Sequence, residues 1–255
     1  NEQPAVPGLN DTGAETDVDG GRLDVGYYAY RDPAYARLIR MGKPSNRSLL
    51  WGVGDLPEVP GGDKLESVKA DNVGLTLLRS QGIDDPSRQY QTGLTYGVHG
   101  GYHGHFDQLN LVYLRRFGKI ATHTRSAWYS YHSFMYKFFV QNSMAHSMVT
   151  VDGKMQEPEE SVPLLYDTGE GLQAVAVENT ARWSNPPYGG MTYPWFDGNF
   201  KAKHEAENRF VPMPEDPPEY GKVTGYTEPV RSRRLMLVTD EYVLVADHAQ
   251  SQKQH

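Results

Sequence analysis

Between residues 22 and 41 apolar side chains recur at roughly helical spacing, with Leu23, Val25, Tyr28, Tyr30, Tyr35, Ala36, Leu38 and Ile39 carrying the pattern. Asp32-Pro33 interrupts it, so the segment reads as two short helices or one kinked helix. A further helical stretch is expected over residues 45–52, and the Pro- and Gly-rich residues 56–62 read as a linker. Residues 1–21 carry no periodicity and read as loop. After residue 67 the period switches to two. Residues 73–79, 90–98, 108–117, 146–151 and 172–178 each read as a strand, the third with Leu109, Leu111 and Tyr113 on one face. Residues 233–247 read as a hairpin that turns at Asp240-Glu241. Short strands at close spacing with no helices between them predict an antiparallel β-sandwich. Residues 183–218 are dense in Pro, Gly and aromatic residues and too long for an ordinary connection, so they read as a functional or insertion loop.

Composition narrows the chemistry. The chain has 255 residues and a formal net charge of −7, which excludes the broad basic field of a nucleic-acid binder. An anionic sugar polymer stays open, because a site can be locally basic within an acidic protein. There is no cysteine, so any metal must be held by His, Asp or Glu. Tyrosine is abundant, 17 residues against 8 Phe, and such amphipathic rings suit both β-sheets and surfaces that grip polar, ring-shaped ligands. No apolar run approaches the length of a membrane span. Asn1 opens no leader peptide, which leaves a cytoplasmic or an already processed chain. Both ends read as cut, which predicts a piece of a longer protein.

The densest chemistry lies in Gly97-Val98-His99-Gly100-Gly101-Tyr102-His103-Gly104-His105-Phe106-Asp107-Gln108. In an extended segment alternate residues share a face, so His103, His105 and Asp107 can point the same way, unless a bulge at Gly104 turns His103 aside. Glycines let the backbone approach a ligand, and imidazole is the natural zinc ligand where thiolate is missing. His123 and His146 sit at expected strand ends, where they can converge with His105. The competing readings are a Gly/His-rich surface loop for the run and hydrogen-bonded strand-end histidines for the others.

Tyr102-His103-Gly104-His105-Phe106-Asp107-Gln108-Leu109, a strand, a turn at Gly118, and then Ala145-His146-Ser147-Met148-Val149-Thr150-Val151-Asp152-Gly153 together resemble the heparinase II/III-like polysaccharide lyases, nearest the branch that includes oligo-alginate lyases. That family joins an N-terminal α/α toroid to a C-terminal antiparallel β-sandwich. The resemblance implies that residues 1–62 are the end of the toroid and a linker, with Asp32-Pro33-Ala34-Tyr35-Ala36 in a helix of it. Residues 63–255 would then be the sandwich, truncated at its end. It implies zinc held by His105, His123 and His146, with His123 where the family has Asp, and with Ser147 where an Asn follows the last ligand. It makes His103 the ring that faces the sugar. Tyr131 and Tyr136 become candidates for a catalytic tyrosine, against the alternative of aromatic packing. Arg79 and Arg125 are candidates for binding substrate carboxylates, as are Arg115 and Arg116, against the alternative of a solvated strand face; Asp107 reads as a partner of a ligand or a strand anchor rather than a ligand.

The activity so implied is β-elimination on a uronic-acid polymer or oligosaccharide, in the periplasm or outside the cell. Its partners would be the acidic saccharide, the upstream toroid and, in the assembly, a second copy; neither nucleic acid nor membrane is expected. Two other readings compete. A non-haem metal oxygenase on a β-scaffold would use two His and a carboxylate around iron, which His103, His105 and Asp107 could imitate. A carbohydrate-binding module would bind through aromatic side chains without turnover.

Overall fold

A computed structural model describes residues 5–7, 15–17, 20–41, 47–59, 65–85, 88–98, 104–117, 119–122, 139–184 and 225–255. A short pair, β1 (Ala5–Pro7) and β2 (Glu15–Asp17), precedes two helices, α1 (Gly20–Tyr30) and α2 (Pro33–Met41). The break falls where the sequence placed it. Arg31 takes a left-handed φ of 55°, and the Asp32 side chain accepts the Ala34 N–H at 2.8 Å to start α2. The helices share a small core of Tyr27, Ala36 and Ile39, against which Val53, Leu56 and Val59 pack.

The helix expected over residues 45–52 is not formed among its described residues, which make a turn closed by Gly52 N–H to the Ser48 carbonyl at 3.0 Å. Side chains supply the reason. The buried Asp24 carboxylate accepts the Ser48 N–H at 2.7 Å and pairs with Arg47 at 2.8 Å, and Ser48 Oγ accepts the Trp51 N–H. These bonds bend the chain back onto α1 instead of extending it.

The sandwich follows. Its first sheet has five antiparallel strands in sequential order: β3 (Val68–Ala70), β4 (Leu75–Arg79), β5 (Gln91–Thr95), β6 (Asn110–Arg116) and β7 (Lys119–Thr122). A two-stranded pair joins β8 (Met155–Gln156) to β11 (Trp183–Ser184). The second large sheet is built from β9 (Ser161–Thr168), β10 (Gln173–Ala181), β12 (Val230–Val238) and β13 (Val243–Gln250), in the order β13-β12-β10-β9. Leu78 and Leu94 from the first sheet, with Tyr96 and Leu109 just beyond its strands, meet Val175, Val177, Met236 and Val238 from the second in one buried core. The predicted antiparallel sandwich is therefore the observed fold, and among the described residues no helix is long and apolar enough to cross a membrane.

Several local expectations change. The hairpin forms with Val238 opposite Val243, closed by Thr239 N–H to the Tyr242 carbonyl at 3.0 Å. Of the single face expected for Leu109, Leu111 and Tyr113, Leu109 and Leu111 share the sandwich core and Tyr113 does not join them. Leu109 precedes β6 with a φ of 67°, and the register against β5 slips between Gly93 and Leu94, which pair with Tyr113 and Leu111 and leave Val112 as the extra residue. Residues 146–151 are not a strand: Leu111 N–H reaches the Ser147 carbonyl at 3.1 Å, but side chains share in holding this segment. Asn110 Oδ1 accepts the Ser147 N–H at 3.0 Å, and Arg234 donates to the Ser147 carbonyl. Asp152 and Gly153 both have positive φ, 54° and 63°, and Lys154 N–H returns to the Val151 carbonyl at 3.0 Å, a type I′ turn into β8. Strand β9, with its exposed Pro163, is an edge strand that the pattern analysis did not anticipate. Most of residues 183–218 lies outside the described residues.

At the β3–β4 turn, Gly74 has a φ of 64° and its carbonyl accepts N–H groups from Tyr96 and Gly97; a Cβ there would lie 2.1 Å from the Gly97 nitrogen. The adjacent Tyr96 hydroxyl donates to Asp71 at 2.8 Å, and burial first, then that bond, push its pKa from 10.0 to about 12. A raised pKa stabilises the fold below the unfolded value and is lost as pH climbs through the folded one. Urea midpoints should therefore fall between about pH 10 and pH 12. Tyr96→Phe should make that fall shallower, and an unchanged profile would contradict the assignment.

Candidate functional site

Strand β12 alternates cleanly, with Val230, Ser232, Arg234, Met236 and Val238 buried. Met236 and Val238 enter the apolar core, whereas Arg234 and Ser232 continue the same face as polar residues. The neighbouring β10 changes in the same direction, with Val175 and Val177 opposite Met236 and Arg234, and Asn179 opposite Ser232. One end of the sandwich interior is thus apolar and the other polar, and the polar end carries two loops.

The first loop is residues 104–109. Phe106 N–H donates to the Gln141 carbonyl at 3.0 Å, Gln141 Nε2 to the Gly104 carbonyl at 2.8 Å, and Ser143 Oγ to the Phe106 carbonyl. Gln108 N–H donates to Gln156 Oε1 at 3.0 Å, and Glu159 N–H to Gln108 Oε1 at 3.0 Å. Leu109 N–H closes the loop onto the Thr95 carbonyl at 2.9 Å, at the end of β5. The left-handed Leu109 costs on the order of 1–2 kcal/mol, which the surrounding bonds must hold.

The second loop is residues 142–147. Asn142 caps a single 3-10 turn, Ser143–Ala145, its side chain accepting the Met144 N–H at 3.1 Å. His146 follows with extended backbone, its N–H donating to the Ser143 carbonyl at 3.1 Å. Asn110 joins the loops, accepting from Ser147 N–H and donating to Asp107 Oδ2, each at 3.0 Å.

These loops bring His105 and His146, 41 residues apart in sequence, to 3.0 Å between Nδ1 and Nε2. Both are buried, at 4% and 9% exposure, and the rings meet edge to face with centroids 5.1 Å apart. Burial holds His146 below the ordinary histidine range, and the His105 ring lowers it further. The Asp107 carboxylate, 3.9 Å from Nε2, and the Asn142 carbonyl pull it upward. His146 Nδ1 faces that carbonyl at 2.8 Å and must carry the proton, so its Nε2 presents a lone pair to His105. In this arrangement His105 donates from Nδ1. To offer a second lone pair to a cation it would carry its proton on Nε2 instead, with no change in charge.

The pair therefore suits two metal ligands: both rings are buried, the Asn142 carbonyl orients His146, and the Asp107 carboxylate stands beside it. Among the described residues no group of three or more His, Asp or Glu is placed to hold a metal ion. His123, expected as the third ligand, lies outside the described residues, as do His103, Arg125, Tyr131 and Tyr136. Asp107 stands as a partner of the pair rather than on a strand, because residues 104–109 form a loop; His105 and Asp107 still approach the same ring.

Arg79 stands elsewhere. It pairs with Gln91 at the start of β5, whereas the His105 loop joins at Thr95, the end of that strand. It donates to the Glu66 carbonyl, and burial draws its guanidinium down from the usual arginine range. Sequence reasoning did not single out Asn110, Asn142, Gln108, Gln156 or Arg234. Arg234 did leave a signal: an arginine on the inward register of an otherwise alternating strand.

No protein-family model and no curated protein sequence matches the chain. Solved structures do match. A heparinase III with methylated lysines superposes with a TM-score of 0.57 at 17% identity, covering 97% of this chain and 29% of its own. A mutant of heparan sulfate lyase HepC from Pedobacter heparinus gives 0.58 at 16%, covering 97% of this chain and 30% of its own. A further heparinase III gives 0.54 at 13%. The chain spans about 30% of the length of these structures and has the fold of the C-terminal part of heparinase III, β-sandwich included.

Proposed function

We propose that the chain is the sandwich side of a polysaccharide lyase that cleaves a uronic-acid polymer by β-elimination, in the periplasm or outside the cell. The observation that carries this reading is the buried His105–His146 contact of 3.0 Å, built by two loops at the polar end of a heparinase III-like sandwich. His105, His123 and His146 would hold zinc. When bound, the ion would fix both imidazoles and the edge of the sandwich that presents His103.

In β-elimination the C5 proton next to the uronate carboxylate leaves to a base. Its electrons form the C4=C5 double bond, the C4–O bond breaks, and the departing oxygen takes a proton. His103 faces the sugar in this reading and takes the C5 proton or stabilises the charge that develops on the carboxylate. Tyr131 or Tyr136 protonates the leaving oxygen, and Arg125 binds a carboxylate bidentately. The rest of the site is contributed by an α/α toroid of the same protein. The neighbours' names make heparan sulfate the first polymer to test, with alginate next.

The test is ultraviolet absorbance of an unsaturated uronate during incubation of the full-length protein with heparan sulfate, alginate, hyaluronate or glucuronan. His103→Ala should reduce the rate by roughly 10²–10⁴-fold, the usual share of a positioned acid or base. Unchanged turnover would remove His103 from the mechanism. Binding to these polymers without absorbance from the wild type would favour a carbohydrate-binding module, and bound iron in place of zinc would favour an oxygenase.

A further inference from the structure

Arg234 is 5% exposed on a face of β12 where its neighbours two residues on are Ser232 and Met236. A charge on that face requires partners, and four hydrogen bonds supply them. Nε donates to Asp247 Oδ1 at 2.7 Å and Nη2 to Oδ2 at 2.8 Å, a bidentate clamp from β13. Nη1 donates to the Leu109 carbonyl at 2.7 Å and to the Ser147 carbonyl. Leu109 ends the loop that carries His105 and has left-handed φ; Ser147 follows His146 directly. One nitrogen of one side chain therefore bonds both histidine loops, while Asp247 fixes its plane.

We propose that Arg234, held by Asp247, is a positioning residue that sets the distance between His105 and His146 by bonding both of their loops. It rests on the reading of that pair as the working part of the site, but its geometry can be tested without turnover. A lysine cannot replace it, since a single ammonium has no planar fork with which to grip the carboxylate and two carbonyls together. The adjacent Arg233 serves as a control, because it is exposed and pairs with Glu178 at 2.7 Å on the other face.

The experiment compares Arg234→Met, Arg234→Lys and Arg233→Met with the wild-type chain by two readouts. The first is the imidazole N–H signal of the His105–His146 hydrogen bond in the metal-free chain, followed by nitrogen-resolved proton NMR. The second is zinc affinity, from competition with a chromophoric chelator. Arg234→Met should broaden or abolish the imidazole signal and weaken zinc binding by about 10–100-fold, the scale expected when a group orienting a ligand is lost. Arg234→Lys should fail in the same direction, and Arg233→Met should match the wild type. If both Arg234 variants keep the signal and the affinity, the proposal is overturned. If the wild type takes up no zinc, the metal reading fails and the imidazole signal alone decides the positioning role. Should Arg234→Met not fold, Arg234→Lys and Asp247→Asn carry the same comparison.

Discussion

Replacing His146 with alanine should cost the folded chain about 2–4 kcal/mol, because it opens a cavity and removes one partner of a buried hydrogen bond. The His105 Nδ1–H loses its acceptor, and the Asn142 carbonyl loses its Nδ1–H donor but keeps the Ala145 N–H at 3.0 Å. Both groups sit where water has little access, since His105 is 4% exposed. Removing one partner of a buried hydrogen bond costs more than the bond contributes, because the other keeps its desolvation penalty. Urea unfolding reads the loss directly, and the zinc competition should show weakened uptake by the same variant. A midpoint equal to wild type would mean that the two rings do not meet in the folded protein.

Leu94→Ala should lose about 2–5 kcal/mol, the range for truncating a fully buried leucine. Leu94 has 0% exposure and stands in the core shared by both sheets, beside the register slip on β5. The loss should reach the histidine loops as well, because the next residue, Thr95, accepts the Leu109 N–H that ends the first of them. The control is Val245→Ala on edge strand β13, where the side chain is 37% exposed and the change should be small. Equal effects at the two positions would place the core elsewhere.

Much of the architecture was legible because it rests on local chemistry. Apolar spacing over residues 22–41 with Asp32-Pro33 inside it reads as helix with a break, and the alternation on either side of Asp240-Glu241 makes a hairpin. The misreadings share one cause. At residues 45–52 and 146–151 the local pattern suits regular structure, but Asp24, Asn110 and Arg234 bond the backbone of Ser48 and Ser147 and hold these segments in other conformations. Those side chains come from 24, 37 and 87 residues away, so no window along the chain contains them. The slip at Gly93/Leu94 likewise depends on which strand lies opposite.

The same division holds for the site. Residue types alone determined that a metal would have to be bound by imidazole or carboxylate, since there is no cysteine, and that His103, His105 and Asp107 crowd one short segment. Only the tertiary structure decided that His105 lies 3.0 Å from His146, that a carbonyl fixes the proton on His146, and that a buried arginine bonds both loops. The physical reason is range. Periodicity and turn chemistry act within a few residues, whereas the distance between two rings 41 residues apart follows from how two sheets stack and what fills the polar end between them.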